Sequence, residues 1–244
     1  MITFSRFKLL FSICACVIAF HVVSHADVLF TEDFEGGIDP SVWEAPGEWQ
    51  VVDAEDVPGL GTQVLSIQGG EVGMTMKNDF SDFVFEADFR ALDSGKITGF
   101  VFRAQDIDQN LYMHQISADG SAHTPNNIRW HAKIGGNWNV EPIPFFNDEI
   151  VLPEVWYRAR FILNGDNFQV FVVEKDMEAQ GVWTQLGDWN DDTFAEGATG
   201  FRSSGGEAMQ FDNVIVGDTL ADVTTPVEPR GKLATVWGEI KAIR

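Results

Sequence analysis

FVFEADFRALDSGKITGFVFRAQDIDQNLYMHQIS, residues 83–117, is the stretch that decides the fold class. In its first part Phe83, Phe85, Ala87 and Phe89 alternate with Val84, Glu86, Asp88 and Arg90. Successive side chains leave a pleated strand on opposite sides, so this alternation gives one buried face and one wet face. Residues 97–105 and 111–117 read as two more strands, the second carrying Tyr112, His114 and Gln115 and the first carrying Arg103. Three consecutive strands are expected to bring these polar side chains onto one sheet face, which makes that face the first place to look for a site.

Outward from this stretch the same pattern repeats. DVLFTEDF, EWQVVD, QVLSIQ and VGMTMK precede it; NIRWHAKI, VWYRARFILN, NFQVFVVEK, VWTQLGDW, ATGFRSS and AMQFDNVIV follow. Turn residues punctuate them, among them Gly36-Gly37, Pro58-Gly59, Gly69-Gly70 and Gly205-Gly206, and Asn164-Gly165-Asp166 is the clearest hairpin signal. About a dozen short strands, with no helix before residue 218, argue for an all-β protein built as a two-sheet antiparallel sandwich of the jelly-roll type. Trp43, Trp49, Trp156, Trp183 and Trp189 lie among apolar strand residues and are expected in the core.

Residues 1–26 carry Arg6 and Lys8, then the apolar run LLFSICACVIAFHVV, then Ser24-His25-Ala26. This is the layout of a cleaved secretory signal, and the run is shorter than the roughly 20 residues needed to span a bilayer. The mature form is therefore expected to lack a membrane span and to be secreted, whether extracellular, periplasmic or at the cell surface. Cys14 and Cys16 would leave with the signal, so the domain has to be held by its core or by a metal, and it is large enough for the core to suffice. The chain has 37 acidic and 16 basic residues, net −21, and loss of the signal takes this to about −23. Such a surface excludes nucleic acid and anionic membrane as partners. One jelly-roll domain over 27–217 is followed by a linker, 218–231, containing Pro226 and Pro229. A short basic segment, 232–244, closes the chain and reads either as a short helix or tag or as a frayed tail.

The order of DFEGGIDPSVWE, FVFEADFRALDSGKITGFVFRAQD, WYRARFILNGDNFQVFV and GFRSSGGEAMQFDNVIV resembles that of the concanavalin A-like lectin and glucanase superfamily over roughly residues 28–217. Its laminin G-like, laminarinase-like and 3-keto-disaccharide hydrolase-type members are all similar. The resemblance implies two antiparallel sheets and carbohydrate bound on a sheet face. Laminarinase-like enzymes keep Glu-x-Asp-x-x-Glu on the strand that here reads Leu111-Tyr112-Met113-His114-Gln115-Ile116-Ser117, which has no carboxylate. Retaining hydrolysis needs two carboxyl groups about 5–5.5 Å apart, so that chemistry lacks its residues on this strand. Tyr112-x-x-Gln115-Ile116 and Asn137-Trp138-Asn139 are similar to the 3-keto-disaccharide hydrolase-type pattern, but Met113 and His114 stand where that family has an acidic residue after the Tyr. A hydrolase of that kind would have to use His114 as its base.

The candidate ligand-binding set is Arg103, Tyr112, His114, Gln115, Trp130, His131, Trp138, Arg160 and Arg202. Planar aromatics stack on pyranose rings, while Arg and His donate to hydroxyls or to acidic-sugar carboxylates. NIRWHAKIGGNWN is the best single stretch for a glycan partner. Glu86, Asp88 and Arg90 share one parity and read as an ion-paired strand face, and Asp106-Ile107-Asp108-Gln109-Asn110 reads as an Asx-rich turn. In jelly rolls of the resembling superfamily the first and last strands often share a structural calcium, which here would fall to Asp33, Glu35 and Asp212 with nearby carbonyls. The expected function is a secreted, non-catalytic carbohydrate-binding domain. A glycoside or 3-keto-glycoside hydrolase with a His-based site, and a laminin G-like adhesion protein, are the alternatives.

Overall fold

The computed structural model describes residues 27–69, 72–92, 97–117, 128–140, 151–203 and 208–224. The expected signal 1–26 and the basic segment 232–244 lie outside the described residues. The first eight strands are β1 (Val28–Glu32), β2 (Trp43–Glu44), β3 (Gln50–Asp53), β4 (Gln63–Gln68), β5 (Val72–Thr75), β6 (Phe83–Ala91), β7 (Ile97–Ala104) and β8 (Leu111–Ser117). They are followed by β9 (Ile128–Ile134), β10 (Asn137–Val140), β11 (Tyr157–Asn164), β12 (Asn167–Glu174), β13 (Thr184–Asn190), β14 (Ala198–Arg202) and β15 (Ala208–Gly217). The first sheet runs β13-β12-β11-β6-β15-β4-β3 with β1 also on β15, and the second runs β10-β9-β8-β7-β14-β5-β2. Every pairing is antiparallel.

The two sheets meet through aromatic side chains. Phe83, Phe85, Phe89, Phe161 and Phe168 from the first sheet face Phe100, Phe102, Tyr112, Trp130 and Phe201 from the second, all of them buried. Phe85 and Phe102 pack edge to face at 5.5 Å, and Phe100 lies 4.7 Å from Phe161. Each such side chain removes roughly 150–250 Å² from water, which is how a domain without disulfides is held. Trp43, Trp49, Trp156 and Trp189 are buried as expected, whereas Trp183 is only half-buried and carries Arg160 over its ring.

The three strands of residues 83–117 do not share a sheet. β6 lies between β11 and β15 in the first sheet, while β7 and β8 are neighbours in the second. The alternation of β6 is real, but the chain crosses the sandwich after it, so its polar side chains and those of β8 face opposite ways. All nine residues of β6 are buried, Glu86, Asp88 and Arg90 included. Ion pairs cover their face: Arg158 Nε donates to Glu86 Oε2 at 2.7 Å and Nη1 to Asp88 Oδ1 at 3.0 Å, and Lys175 Nζ reaches Asp88 at 2.9 Å.

Two helical pieces escaped the strand pattern. KDMEAQ, Lys175–Gln180, forms a 3-10 helix that brings Lys175 and Glu178 onto this charged cluster and ends at Gly181, whose φ of 68° suits glycine. Within the expected linker 218–231, Leu220–Thr224 forms a helix, α1, packed on β6 and β15 with Asp222 and Val223 buried. The Asp222 carboxylate accepts the Thr219 amide at 2.6 Å and its hydroxyl at 2.8 Å. The domain therefore reaches residue 224 at least, because a single helical turn leaves no periodic trace.

β11 and β12 turn tightly through Gly165-Asp166, with Asn164 opposite Asn167. A closer approach occurs where β14 meets β5: a Cβ on Gly200 would lie 2.0 Å from the Gly73 carbonyl oxygen. Gly200→Ala must push the two strands apart and is expected to lower stability by about 1–3 kcal/mol in urea unfolding. An unchanged midpoint would show that the strands yield freely.

Candidate functional site

The second sheet's outer face collects part of the expected set. Along β8, Tyr112, His114 and Ile116 join the core, so Leu111, Met113 and Gln115 point outward. The β8–β9 register places Arg129 beside Gln115, His131 beside Met113 and Lys133 beside Leu111. Trp138 of β10 pairs with Lys133, and Arg202 of β14 pairs with Gly99, itself the neighbour of Gln115. Two-residue periodicity thus lines up Arg202, Gln115 and Arg129 across four strands, with the side-chain-free Gly99 between the first two.

These side chains touch. His131 Nε2 lies 3.1 Å from Gln115 Oε1, and since that oxygen accepts, Nε2 carries the proton and Nδ1 the lone pair. The His131 ring meets Trp138 edge-on at 5.7 Å. The Arg202 guanidinium lies 5.1 Å from the Trp138 ring centre and Lys133 Nζ 5.2 Å from it. Arg202 Nη1 reaches Met113 Sδ at 3.5 Å, and Lys133 pairs with Asp108 at 2.9 Å. Burial, followed by the positive charges of Arg129 and Arg202, pushes the His131 pKa down to about 4, so its imidazole is neutral at ordinary pH.

Gln115, His131, Trp138 and Arg202 therefore converge, and the other expected ligand residues do not. Tyr112, His114 and Trp130 occupy inward positions of the same strands. His114 is 1% exposed and sits against Trp130 at 4.6 Å and Phe161 at 5.2 Å. Burial, with a smaller contribution from His131, drives its pKa well below the usual histidine range. No substrate reaches it, which removes it as a base. The Tyr112 hydroxyl donates to Asp191 at 2.6 Å and accepts the Phe194 amide at 2.8 Å, a structural role. Arg103 has outward parity, but it lies in a bulge with φ of 46°. The bulge turns its side chain to the Ser81, Gly165 and Phe194 carbonyls at 2.7–3.1 Å. Arg160 is on the first sheet, paired with Glu86 and 3.9 Å from the Trp183 ring centre. Sequence reasoning passed over Arg129, Lys133 and Met113, although parity with His131 and Gln115 was there to find them.

The expected calcium ligands lie around the loop at residues 59–62. Glu35 accepts the Thr62 amide and hydroxyl and the Gln63 amide, at 2.5, 2.5 and 3.0 Å. Asp212 accepts the Gly61 amide at 3.2 Å and the Asn213 amide at 2.7 Å, while Asp33 accepts the Glu35 amide at 3.2 Å. Burial, then the charges of Asp88 and Glu35, raise the Asp212 pKa to about 6. Carboxylates met by N–H donors are arranged differently from a calcium cage, which needs six to eight oxygen ligands. Among the described residues no group of three or more His, Cys, Asp or Glu is placed to hold a metal ion. The donor set does not fit calcium as it stands. The expected Asx turn is present: Asp106 Oδ1 accepts the amides of Asp108, Gln109 and Asn110.

Residues 29–217 match the family of 3-keto-alpha-glucoside-1,2-lyase-like domains. No curated protein matches the chain in sequence. Among solved structures, the carbohydrate binding module CBM66 from Bacillus subtilis is 18% identical, covering 70% of this chain and 95% of its own, with a TM-score of 0.50. A glycosyl hydrolase family 16 protein from Mycobacterium smegmatis is 14% identical, covering 78% and 100%, with a TM-score of 0.46. At 18% identity the likeness to the Bacillus subtilis module is one of fold, the concanavalin A-like jelly roll. Among the described residues no helix is long and apolar enough to cross a membrane.

Proposed function

Since the chain belongs to the 3-keto-alpha-glucoside-1,2-lyase-like domain family, we propose that it binds carbohydrate on the outer face of its second sheet without cleaving it. The observation that carries this reading is the grouping of Trp138, His131, Gln115 and Arg202 on one face. An indole offers a stacking surface for a pyranose, and the amide, imidazole and guanidinium supply directed donors and acceptors. None of the described outward positions of β7, β8, β9 and β14 is an Asp or Glu, so a carboxylate acid–base pair has no place at the centre of this face. The protein acts outside the cytoplasm in this reading, delivered by residues 1–26.

Trp138→Ala is expected to weaken binding to a panel of neutral oligosaccharides more than tenfold, as loss of an aromatic anchor does. Isothermal titration reads the effect, and unchanged affinity would move the site elsewhere.

Family membership also favours a second reading, cleavage of a 3-keto-glycoside by elimination across C1 and C2. A base would take the C2 proton, acidified by the neighbouring ketone, as the C1 substituent leaves. His131 Nδ1 is the neutral base at hand, though a pKa of about 4 makes it a weak one. Turnover of a 3-keto-glucoside that disappears in His131→Gln would replace the binding reading with this one.

A further inference from the structure

We infer that the basic segment 232–244 docks back onto its own domain, in the groove between α1 and the β11–β12 hairpin. The groove lies at one end of the first sheet's outer face. There the register sets Val84 of β6 between Gly217 of β15 and Ile162 of β11. α1 packs over the β15 side of this row, where Val84, Ile215 and Val223 close into a small apolar cluster with Ile162 at its margin. The cover is incomplete: Ile162 is only half-buried, and Leu220, at the start of the helix, is 41% exposed.

Size and lining narrow the occupant. Val84, Ile162 and Leu220 give the groove an apolar floor and rim, and Asp82 and Asp218 stand in its wall. Its volume is about 260 Å³, below the roughly 300–1,000 Å³ of pockets that enclose small molecules. A groove of this kind suits a large apolar side chain carried by a segment that lies across it, with cations on that segment to meet the two carboxylates. Asp218 is exposed. Asp82 accepts the Gly165 amide at 2.8 Å and lies 3.5 Å from Arg103, yet keeps 61% of its side chain open.

Residues 232–244 have that make-up. Leu233, Val236, Trp237 and Ile240 recur at the i, i+3, i+4, i+7 spacing of one helix face, with Trp237 as the large anchor. Lys232, Lys241 and Arg244 outweigh Glu239 in a chain otherwise dominated by acids. The tether also fits. α1 ends at Thr224, about 6 Å along the helix axis from Leu220 at the groove. Residues 225–231, with Pro226 and Pro229, then extend to about 22 Å, enough for the chain to turn back. A short tether holds its segment at an effective concentration near the millimolar range, so a contact too weak to join separate molecules still closes. The docked segment would cover part of the first sheet and leave the proposed glycan face on the second sheet clear, and the two readings stand independently.

Amide hydrogen exchange, read by mass spectrometry on the purified full chain, tests the contact. The amides of residues 233–240 are expected to exchange roughly tenfold or more slowly than those of an unstructured peptide of the same sequence. Leu220→Ser, on the groove, and Trp237→Ala, on the segment, should each return them to unstructured rates. Melting curves verify that Leu220→Ser folds, and Trp237 lies outside the domain, so its loss leaves the core untouched. Free exchange of 233–240 in the parent overturns the docking. Protection that survives Leu220→Ser places the segment elsewhere and overturns it too. Protection that grows between about 1 and 100 µM protein assigns the contact to a second copy of the chain, which likewise overturns docking within one molecule.

Discussion

Arg158→Ala will lower the free energy of unfolding by about 3–5 kcal/mol, the usual cost of stripping one partner from a buried ion pair. Arg158 is the hub of the first sheet's outer face: it binds Glu86 at 2.7 Å, Asp88 at 3.0 Å and Glu178 at 3.3 Å. Glu86 and Asp88 are 2% and 0% exposed, and without the guanidinium they keep Arg160 and Lys175 as counter-charges among the described residues. Those carboxylates hold the Arg158 proton in place despite its burial. Arg158→Lys should recover only part of the loss, because one ammonium cannot serve two carboxylates as a planar fork does. Urea unfolding at neutral pH reads both variants. A loss below about 1 kcal/mol in Arg158→Ala would mean that Lys175 and Arg160 suffice.

Acidification between pH 6.5 and 4 is expected to lower stability through the buried histidines. An unfolded histidine takes a proton near pH 6.5, whereas native His131 resists it down to about 4 and buried His114 resists it as well. In that window the unfolded chain binds protons that the native chain refuses. The stability is full above pH 6.5 and is lost as pH falls toward 4, by about 2–3 kcal/mol for His131 with His114 adding in the same direction. Asp212 works oppositely: its carboxyl, raised to about 6 when folded, takes up a proton more readily in the native state and offsets part of the loss. Urea midpoints at pH 7.5, 6.0 and 4.5 should fall in the parent and fall less in His131→Gln. Asp212→Asn should make the acid loss steeper. Identical midpoints across this range in Asp212→Asn, where that offset is gone, would rule out neutral, buried histidines.

Sequence and structure agree most where periodicity is the governing signal. The alternation of Phe83, Phe85, Ala87 and Phe89 marks one core wall, and Asn164-Gly165-Asp166 marks the hairpin between β11 and β12. Periodicity is silent on which sheet a strand joins, and β6 was grouped with β7 and β8 for that reason. Parity also fixes a face only relative to its neighbours. With Phe100 and Phe102 inward, Tyr112 and His114 must be inward too, and His131 and Gln115 outward. The aromatic and histidine content of NIRWHAKI drew attention to Trp130 and away from Arg129, one residue earlier on the opposite side. Arg103 was beyond parity altogether, since the bulge that redirects it depends on the close approach of β14.

The strands under the proposed site are keyed into the core from below. Tyr112, His114 and Trp130 alternate with Met113, Gln115, Arg129 and His131, and their undersides lock against Phe161, Phe168 and Trp189. A ligand arriving on the outer side meets groups whose backbone freedom was already surrendered when the domain folded. Association then spends little conformational entropy on the β8 and β9 backbone, and selectivity rests on the match between fixed groups and a sugar. Loosening the hidden aromatic layer, with every contact residue left in place, would blunt recognition from the inside.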